Sequence, residues 1–324
     1  MSRITLVDWC LGNTCNYSCS YCPERLHDGS VKWEHKDMIT RFCDRLVSHY
    51  SSMGNSLWFQ FSGGEPTLYS GGEGRSESGA AGFLDLIEQL HNRGCKIGVI
   101  SNGSRTLRWW KQALGFLDNV ILTHHIEFVD LGHFVALAQL LSGRVRTHVN
   151  VTMHPDRFED CLANAFCIAD QCSDITVTLK PLLINFGSVM YPYDEGQRQI
   201  LRETRFDMKT TRAVGGPQGL MRRRYSDGSS DTVKASHLIV SDQNRWAGWS
   251  CNAGLELLSI DYSGNVYRGV CKQGGRIGHI RCDHLALPRS PVICEKAVCH
   301  CATDIMTTRI SPAGAAFAQG EHNV

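Results

Sequence analysis

From the amino terminus to about residue 195, short apolar runs alternate with stretches whose apolar positions recur every three or four residues. The first is the pattern of a buried strand and the second that of an amphipathic helix. Together they predict strands near 4–10, 57–62, 96–101, 118–125, 145–152 and 174–180, and helices near 34–52, 81–93, 104–116, 130–142 and 157–170. Such alternation requires right-handed crossovers and a parallel sheet covered by helices, an α/β architecture. Ligands of these sheets gather at the carboxyl ends of the strands, so the chemistry is to be sought just after each apolar run.

Further along, the periodicity fades. Residues 207–250 are poor in apolar side chains and carry the basic run Arg222-Arg223-Arg224-Tyr225. That run reads as a solvated hairpin, with a contact for a phosphate, a nucleotide or an acidic peptide as the second reading. Leu255 to Asp261, a Ser263-Gly264 turn and Asn265 to Val270 then read as a β-hairpin. The chain divides on this basis into 1–195, a bridge at 196–250 and a terminal segment at 251–324. The Gly- and Ser-rich stretch from Ser70 to Gly82 reads as a flexible linker before the second helix.

The 324 residues are 42% apolar with a formal net charge of +1. That suffices for one large core and a smaller appendage and gives no general attraction to polyanions. Neither nucleic acid nor membrane is indicated: the chain has no nucleic-acid motif and no stretch of eighteen apolar residues, and its first strand starts too early to leave room for a signal peptide. Fifteen cysteines, clustered at metal-binding spacings, point to a cytoplasm that keeps thiols reduced.

Cys15, Cys19 and Cys22, in the run Cys-Asn-Tyr-Ser-Cys-Ser-Tyr-Cys, follow the first strand directly. Three thiolates at this spacing hold three irons of a cubane cluster and leave the fourth free. Electron-transfer clusters normally take four cysteines, and structural zinc sites close every position with protein ligands. A zinc knuckle or half of a two-cluster ferredoxin gives a similar cysteine count. The second strand runs into Ser62-Gly63-Gly64-Glu65-Pro66, which alone reads as a tight turn, and the third into Ser101-Asn102-Gly103.

With the cysteine loop after strand one and Gly-Gly-Glu-Pro after strand two, the sequence resembles the radical S-adenosylmethionine (radical SAM) superfamily. The resemblance implies a partial (β/α)6 TIM-like barrel and a [4Fe-4S] cluster on Cys15, Cys19 and Cys22. The open iron of that cluster is chelated by the amino and carboxylate groups of S-adenosylmethionine (AdoMet). Tyr21 falls where such enzymes cover the adenine. Gly63, Gly64, Glu65 and Pro66 form the element that meets the methionine moiety: the glycines permit close backbone approach, and Glu65 offers a carboxylate to its ammonium. Ser101 and Asn102 are placed for ribose hydroxyls, and Thr123 stands where relatives often carry a ribose-contacting serine. A reducing partner such as a flavodoxin or ferredoxin is implied as well.

Cys251, Cys271, Cys282, Cys294, Cys299 and Cys301 crowd the carboxyl end. The hairpin brings Cys251 and Cys271 to its two ends, and Cys294, Cys299 and Cys301 return on a short loop. This pattern looks like the auxiliary-cluster extension called a twitch domain, a shortened SPASM domain, and implies a second [4Fe-4S] cluster. Its ligands would be Cys251, Cys271, Cys299 and Cys301, with Cys294 competing for a place and Cys282 spare. The interval from Gly264 to Cys271 is longer than is usual for that domain, and a zinc knuckle stapling the tail is the alternative. Cys10, Cys43, Cys95, Cys161, Cys167 and Cys172 read as small core hydrophobes.

His124, His125 and Glu127 follow the apolar strand Val120-Ile121-Leu122, so at least one should face the reaction cavity. There a histidine serves to accept a proton or orient a carboxylate, and a hydrogen-bonded structural histidine is the alternative. Lys180 is a further cavity candidate. The implied activity is reductive cleavage of AdoMet to a 5′-deoxyadenosyl radical that abstracts a substrate hydrogen atom. The first reading is oxidative modification, by cross-linking or dehydrogenation, of a ribosomally made peptide. A dehydrogenase, epimerase or isomerase acting on a small molecule or nucleotide is the second. A non-enzymatic iron-sulfur or zinc protein is the third, and it leaves Gly63, Gly64 and Glu65 without a reason.

Overall fold

The computed structural model describes residues 3–71, 81–186, 189–204, 206, 220–299, 301–312 and 316–320. The linker reading of Ser70 to Gly82 and the first part of the 207–250 bridge fall largely outside these residues. The chain runs β1 (Arg3–Cys10), α1 (Lys36–Ser51), β2 (Asn55–Ser62), α2 (Ala81–Asn92), β3 (Lys96–Ser101), α3 (Leu107–Ala113), β4 (Asn119–His124), α4 (Leu131–Leu141), β5 (Arg146–Met153), α5 (Phe158–Gln171) and β6 (Ile175–Pro181). It continues through α6 (Glu195–Glu203), β7 (Leu220–Arg224), β8 (Ser230–Lys234), α7 (Ala235–Val240), β9 (Ser250–Cys251), β10 (Leu257–Ile260), β11 (Asn265–Tyr267), β12 (Arg276–His279), β13 (Val292–Ile293), α8 (Ala302–Ile305), β14 (Arg309–Ile310) and β15 (Phe317–Gly320).

The six expected strands and five expected helices before residue 195 all form. The helix expected over 104–116 is shorter, because Thr106 caps its start by accepting the Trp109 amide at 3.3 Å. The residues before it are held in the loop, Ser104 by Asn102 and Arg105 by the Thr67 carbonyl. One sheet orders its strands β12-β11-β10-β1-β2-β3-β4-β5-β6 and the other β13-β9-β14-β15-β7-β8. The fold is the expected α/β architecture with an additional antiparallel sheet. Among the described residues, no helix is long and apolar enough to cross a membrane.

Two compact units emerge, both discontinuous in sequence. One comprises Cys10–Lys36 and Gln60–Ala213. In it β3, β4, β5 and β6 pair in parallel, with Thr123 beside Asn150 and Asn150 beside Thr178. Alternation along these strands sends opposite sets of side chains to the two faces. Val120, Leu122, Val149, Val151 and Leu179 are buried on the face that carries His124, whose ring meets Phe134 of α4 edge-on at 5.5 Å. Thr123, His148, Asn150, Thr152, Thr176, Thr178 and Lys180 make the opposite face polar.

The other unit comprises Met1–Trp9, Asp37–Phe59 and Val214–Val324. The hairpin expected at 255–270 forms as β10 and β11, and β10 lies parallel to β1, Leu6 beside Leu257. Apolar periodicity does not reveal a strand's pairing partner, so this extension of the sheet was invisible in the sequence. The basic run becomes β7, paired antiparallel with β8, and Arg223 is absorbed by a 2.5 Å ion pair to Asp231. The core of the antiparallel sheet gathers Met221, Leu238, Trp246, Ile305, Met306 and Ala318 around Cys299. Cys43, Cys95, Cys161 and Cys172 are buried and Cys282 is exposed, whereas Cys10 and Cys167 are half-buried.

Candidate functional site

The cysteine loop is held by side chains from other segments of its own unit. Glu127 accepts the Ser20 amide at 2.8 Å and the Ser20 hydroxyl at 2.6 Å, clamping the residue between Cys19 and Cys22. Asn13, buried before the loop, donates to Asp28 at 2.6 Å, to Ser30 and to the Arg25 carbonyl, and accepts from the Val31 amide. Tyr17 stacks on Phe128 at 5.2 Å. Burial pushes the Cys19 thiol up to about 12 and the Cys22 thiol up to about 11. Cys15 is also raised, by burial first and by Glu65 as well. Metal binding to these sulfurs must therefore displace protons.

Tyr21 is buried against Cys19 and Leu182. Its hydroxyl lies 2.7 Å from His125 Nδ1 and 3.2 Å from Thr152 Oγ1, and its ring stacks on that of His125. Burial lowers His125 to about 4, so the ring is neutral.

The two glycines approach the cysteine loop's own backbone. A Cβ on Gly63 would lie 2.3 Å from the Gly12 carbonyl oxygen, and one on Gly64 would lie 2.3 Å from that of Thr14. Their place is fixed by Gly64 N–H donating to Gly12 O at 3.0 Å and Glu65 N–H donating to Thr14 O at 2.8 Å. Gly63 has φ +126°, closed to other residues. Glu65 is fully enclosed, and its carboxylate accepts from Thr67 N–H, from the Thr67 hydroxyl at 2.6 Å, from the Ser101 hydroxyl at 2.9 Å and from Asn102 N–H at 2.7 Å. A carboxylate has about four lone-pair sites, so Glu65 has little acceptor capacity left. It ties the end of β2 to the end of β3, with buried Pro66 opening the short turn between. Ser101 spends its hydroxyl on Glu65 and on Gly103 N–H. The Asn102 amide reaches Asn16 Oδ1 at 3.0 Å and approaches Cys15 Sγ at 3.8 Å.

His124 belongs to the helix side of the sheet, where its Nε2 accepts from Asn164 at 3.1 Å. Thr123 is buried on the opposite, polar face. On that face Lys180 is open to solvent, yet enough protein surrounds its ammonium that desolvation lowers its pKa. His148 sits nearby, its Nε2 3.1 Å from Asn150 Oδ1. Sequence reasoning missed His148 and Asn150, although the polar alternation of His-Val-Asn-Val-Thr marks them.

In the other unit, Cys251, Cys271, Cys294 and Cys299 lie within electrostatic reach of one another, and Cys301 shares with three of them the nearby Asp304 carboxylate. Cys251 lies on β9 in register with Val292 and packs with Cys294. Asn244 pins Cys299, accepting its amide at 2.9 Å and donating to its carbonyl at 2.8 Å. Gln273 links the Cys271 turn to the Cys294 loop by donating to Ile293 O and accepting from Glu295 N–H. Cys301 caps α8. Burial raises the thiols of Cys251, Cys271, Cys299 and Cys301, Cys271 to about 12, and the nearby Asp304 carboxylate raises all four further. Among the described residues, no three Cys, His, Asp or Glu side chains stand in a ready-made metal arrangement. The donor sets themselves, soft thiols enclosed by protein, suit iron-sulfur clusters.

No family model matches the chain, and no curated protein does. Among solved structures it is similar to native anSMEcpe with bound AdoMet, at a TM-score of 0.50 and 18% identity over 87% of this chain and 79% of that one. It is also similar to SuiB of Streptococcus suis, at a TM-score of 0.50 and 12% identity. SuiB bound to its precursor peptide SuiA gives 0.51 and 13%, again over 87% of this chain, which spans 64% of SuiB. Identities this low establish a shared fold.

Proposed function

We propose that the chain is a radical SAM enzyme. The single observation that carries this reading is the interlock of its two motifs: the Gly63-Gly64 backbone packs on the backbone of Gly12 to Thr14, and Glu65 ties that joint to Ser101 and Asn102. Three strand ends are thereby locked around one three-cysteine loop. Cys15, Cys19 and Cys22 would hold a [4Fe-4S] cluster, and Cys251, Cys271, Cys299 and Cys301, or Cys294 in place of one, a second. When bound, the first cluster with AdoMet on its open iron supplies a 5′-deoxyadenosyl radical for hydrogen abstraction, and the second offers an electron acceptor.

The chain's own residues prepare this chemistry. Glu127 and Asn13 fix the backbone of the loop that carries Cys15, Cys19 and Cys22. Tyr21, His125 and Thr152 form a neutral hydrogen-bonded wall beside Cys19, and Lys180 with Asn150 presents donors on the polar sheet face. The substrate we favour is a ribosomally made peptide, oxidised by cross-linking or dehydrogenation in the cytoplasm, with a flavodoxin or ferredoxin as reductant. Support comes from the second thiol group and from the shared fold with SuiB, which was solved with a precursor peptide.

The test is anaerobic reconstitution followed by chemical reduction with dithionite in the presence of AdoMet. Formation of 5′-deoxyadenosine, lost in the Cys15/Cys19/Cys22 triple alanine variant, is the expected result, and none from a fully loaded cluster overturns the reading. Loss of two hydrogens from a precursor peptide encoded beside the gene then supports the peptide substrate. Turnover of small molecules alone refutes it.

A further inference from the structure

Arg309 is 2% exposed. It sits on β14 directly opposite Cys251 of β9. Its Nη1 donates to the carbonyls of Ile305 at 2.8 Å and Thr307 at 2.7 Å, and its Nη2 donates to the Asp304 carbonyl at 2.6 Å and to Cys299 Sγ at 3.3 Å. The guanidinium lies over the Trp246 ring at 4.4 Å. Asp304, the carboxylate next to it, turns its Oδ1 to the Val270 amide and forms no ion pair with Arg309. Among the described residues, the one side-chain acceptor of this buried cation is a cysteine sulfur. Neutral carbonyls, an aromatic face and the field of the nearby Asp304 carboxylate ease its desolvation, but the guanidinium has no carboxylate hydrogen-bonded to it among the described residues, and a buried charge without such a partner is costly. Such a charge becomes reasonable where negative charge is to arrive, and cysteinates binding a cluster bring it.

We propose that Arg309 is a positioning residue of the second cysteine site, its guanidinium compensating the negative charge of a cysteinate-bound iron-sulfur cluster and raising that cluster's reduction potential through the Cys299 sulfur. The proposal rests on the auxiliary-cluster reading above. Hydrogen bonds to ligand sulfurs and nearby charge are the levers by which proteins set such potentials.

The test uses the full-length Cys15/Cys19/Cys22 triple alanine variant, which isolates the second site. About four irons per chain are expected. Absence of iron from the folded chain overturns the auxiliary-cluster reading and the proposal with it. With the cluster present, Arg309→Met should move its midpoint to a more negative value in a redox titration followed by EPR. Arg309→Lys, which keeps the charge without the fork, should recover part of the shift. An unchanged midpoint in Arg309→Met at undiminished iron content overturns the Arg309 role alone. Should Arg309→Met fail to fold, the parent protein decides the matter. With guanidino-15N arginine, hyperfine coupling of the reduced cluster to 15N is expected, and its absence overturns the proposal.

Discussion

The two cysteine groups differ in how they are assembled and in the charge that surrounds them. Cys15, Cys19 and Cys22 lie in one short loop, braced from outside by carboxylates that already have partners: Glu127 on Ser20 and Glu65 on Ser101 and Asn102. Cys251, Cys271, Cys294, Cys299 and Cys301 come from separate turns joined by an antiparallel sheet, and a buried guanidinium stands among them. Four thiolates make a cluster more anionic than three do, and AdoMet brings a sulfonium cation of its own. On the proposed reading, internal positive charge would belong at the carboxyl-terminal site, which protein ligands would close, and at the three-cysteine site the bound AdoMet would supply it.

The largest expected effects separate the two groups outright. Cys19→Ala should remove about four irons and abolish AdoMet cleavage, read as 5′-deoxyadenosine by chromatography. Cys271→Ala should also remove about four irons yet leave cleavage intact. An unchanged iron count in Cys271→Ala would mean that Cys271 holds no cluster.

Glu65 comes next. Glu65→Ala leaves the Thr67 amide and hydroxyl, the Ser101 hydroxyl and the Asn102 amide without their acceptor. Unmade buried hydrogen bonds to a charged group cost about 3 to 5 kcal/mol together, and thermal unfolding of the reconstituted protein measures that loss. Glu65→Gln keeps the volume but turns an amide N–H toward donors, so it should recover little. A melting temperature equal to wild type in either variant would mean that the brace between β2 and β3 is dispensable.

Glu127 should matter less, because its two hydrogen bonds are on the surface side of the loop. Charge-assisted bonds of this kind contribute about 1.5 to 3 kcal/mol. Glu127→Ala should therefore lower occupancy of the first site by about tenfold at limiting iron while leaving the second site filled. Glu127→Gln, which still accepts the Ser20 amide, should fall between. Equal loss from both sites would show general unfolding in place of a local clamp.

What could be read from the chain follows from distance along it. Each strand before residue 195 is a local apolar run and each helix a local amphipathic unit, and the cysteine loop and Gly-Gly-Glu-Pro are contiguous motifs, so all were visible. Glu65 read as a ligand group from its contiguous motif, and its tie to Ser101 and Asn102 was not legible because they lie 36 and 37 residues away. Glu127 was one of three residues expected near the cavity, and its grip on Ser20, 107 positions away, could not be read from the chain. His124 was placed by its strand but not by face: a single slip in alternation decides between cavity and core. Arg309 gave no signal at all, since a lone arginine in a polar tail ordinarily points to water.

The last effect, absent at neutral pH, is one of acid sensitivity, and it falls on the unit that holds the first site. Burial lowers His124 to about 4 from its ordinary 6.5. The unfolded chain therefore binds a proton here at a pH where the folded chain does not. Stability is full above about 6.5 and falls as the pH drops toward 4, by up to about 3 kcal/mol for this one side chain. His124→Leu should remove that share of the slope while lowering stability modestly at neutral pH through the Asn164 amide it leaves unpaired. Chemical denaturation at several pH values between 4 and 7.5 measures both. A wild-type slope that persists undiminished in His124→Leu would mean that the acid sensitivity of this unit lies elsewhere, with His125 behind Tyr21 the next residue to replace.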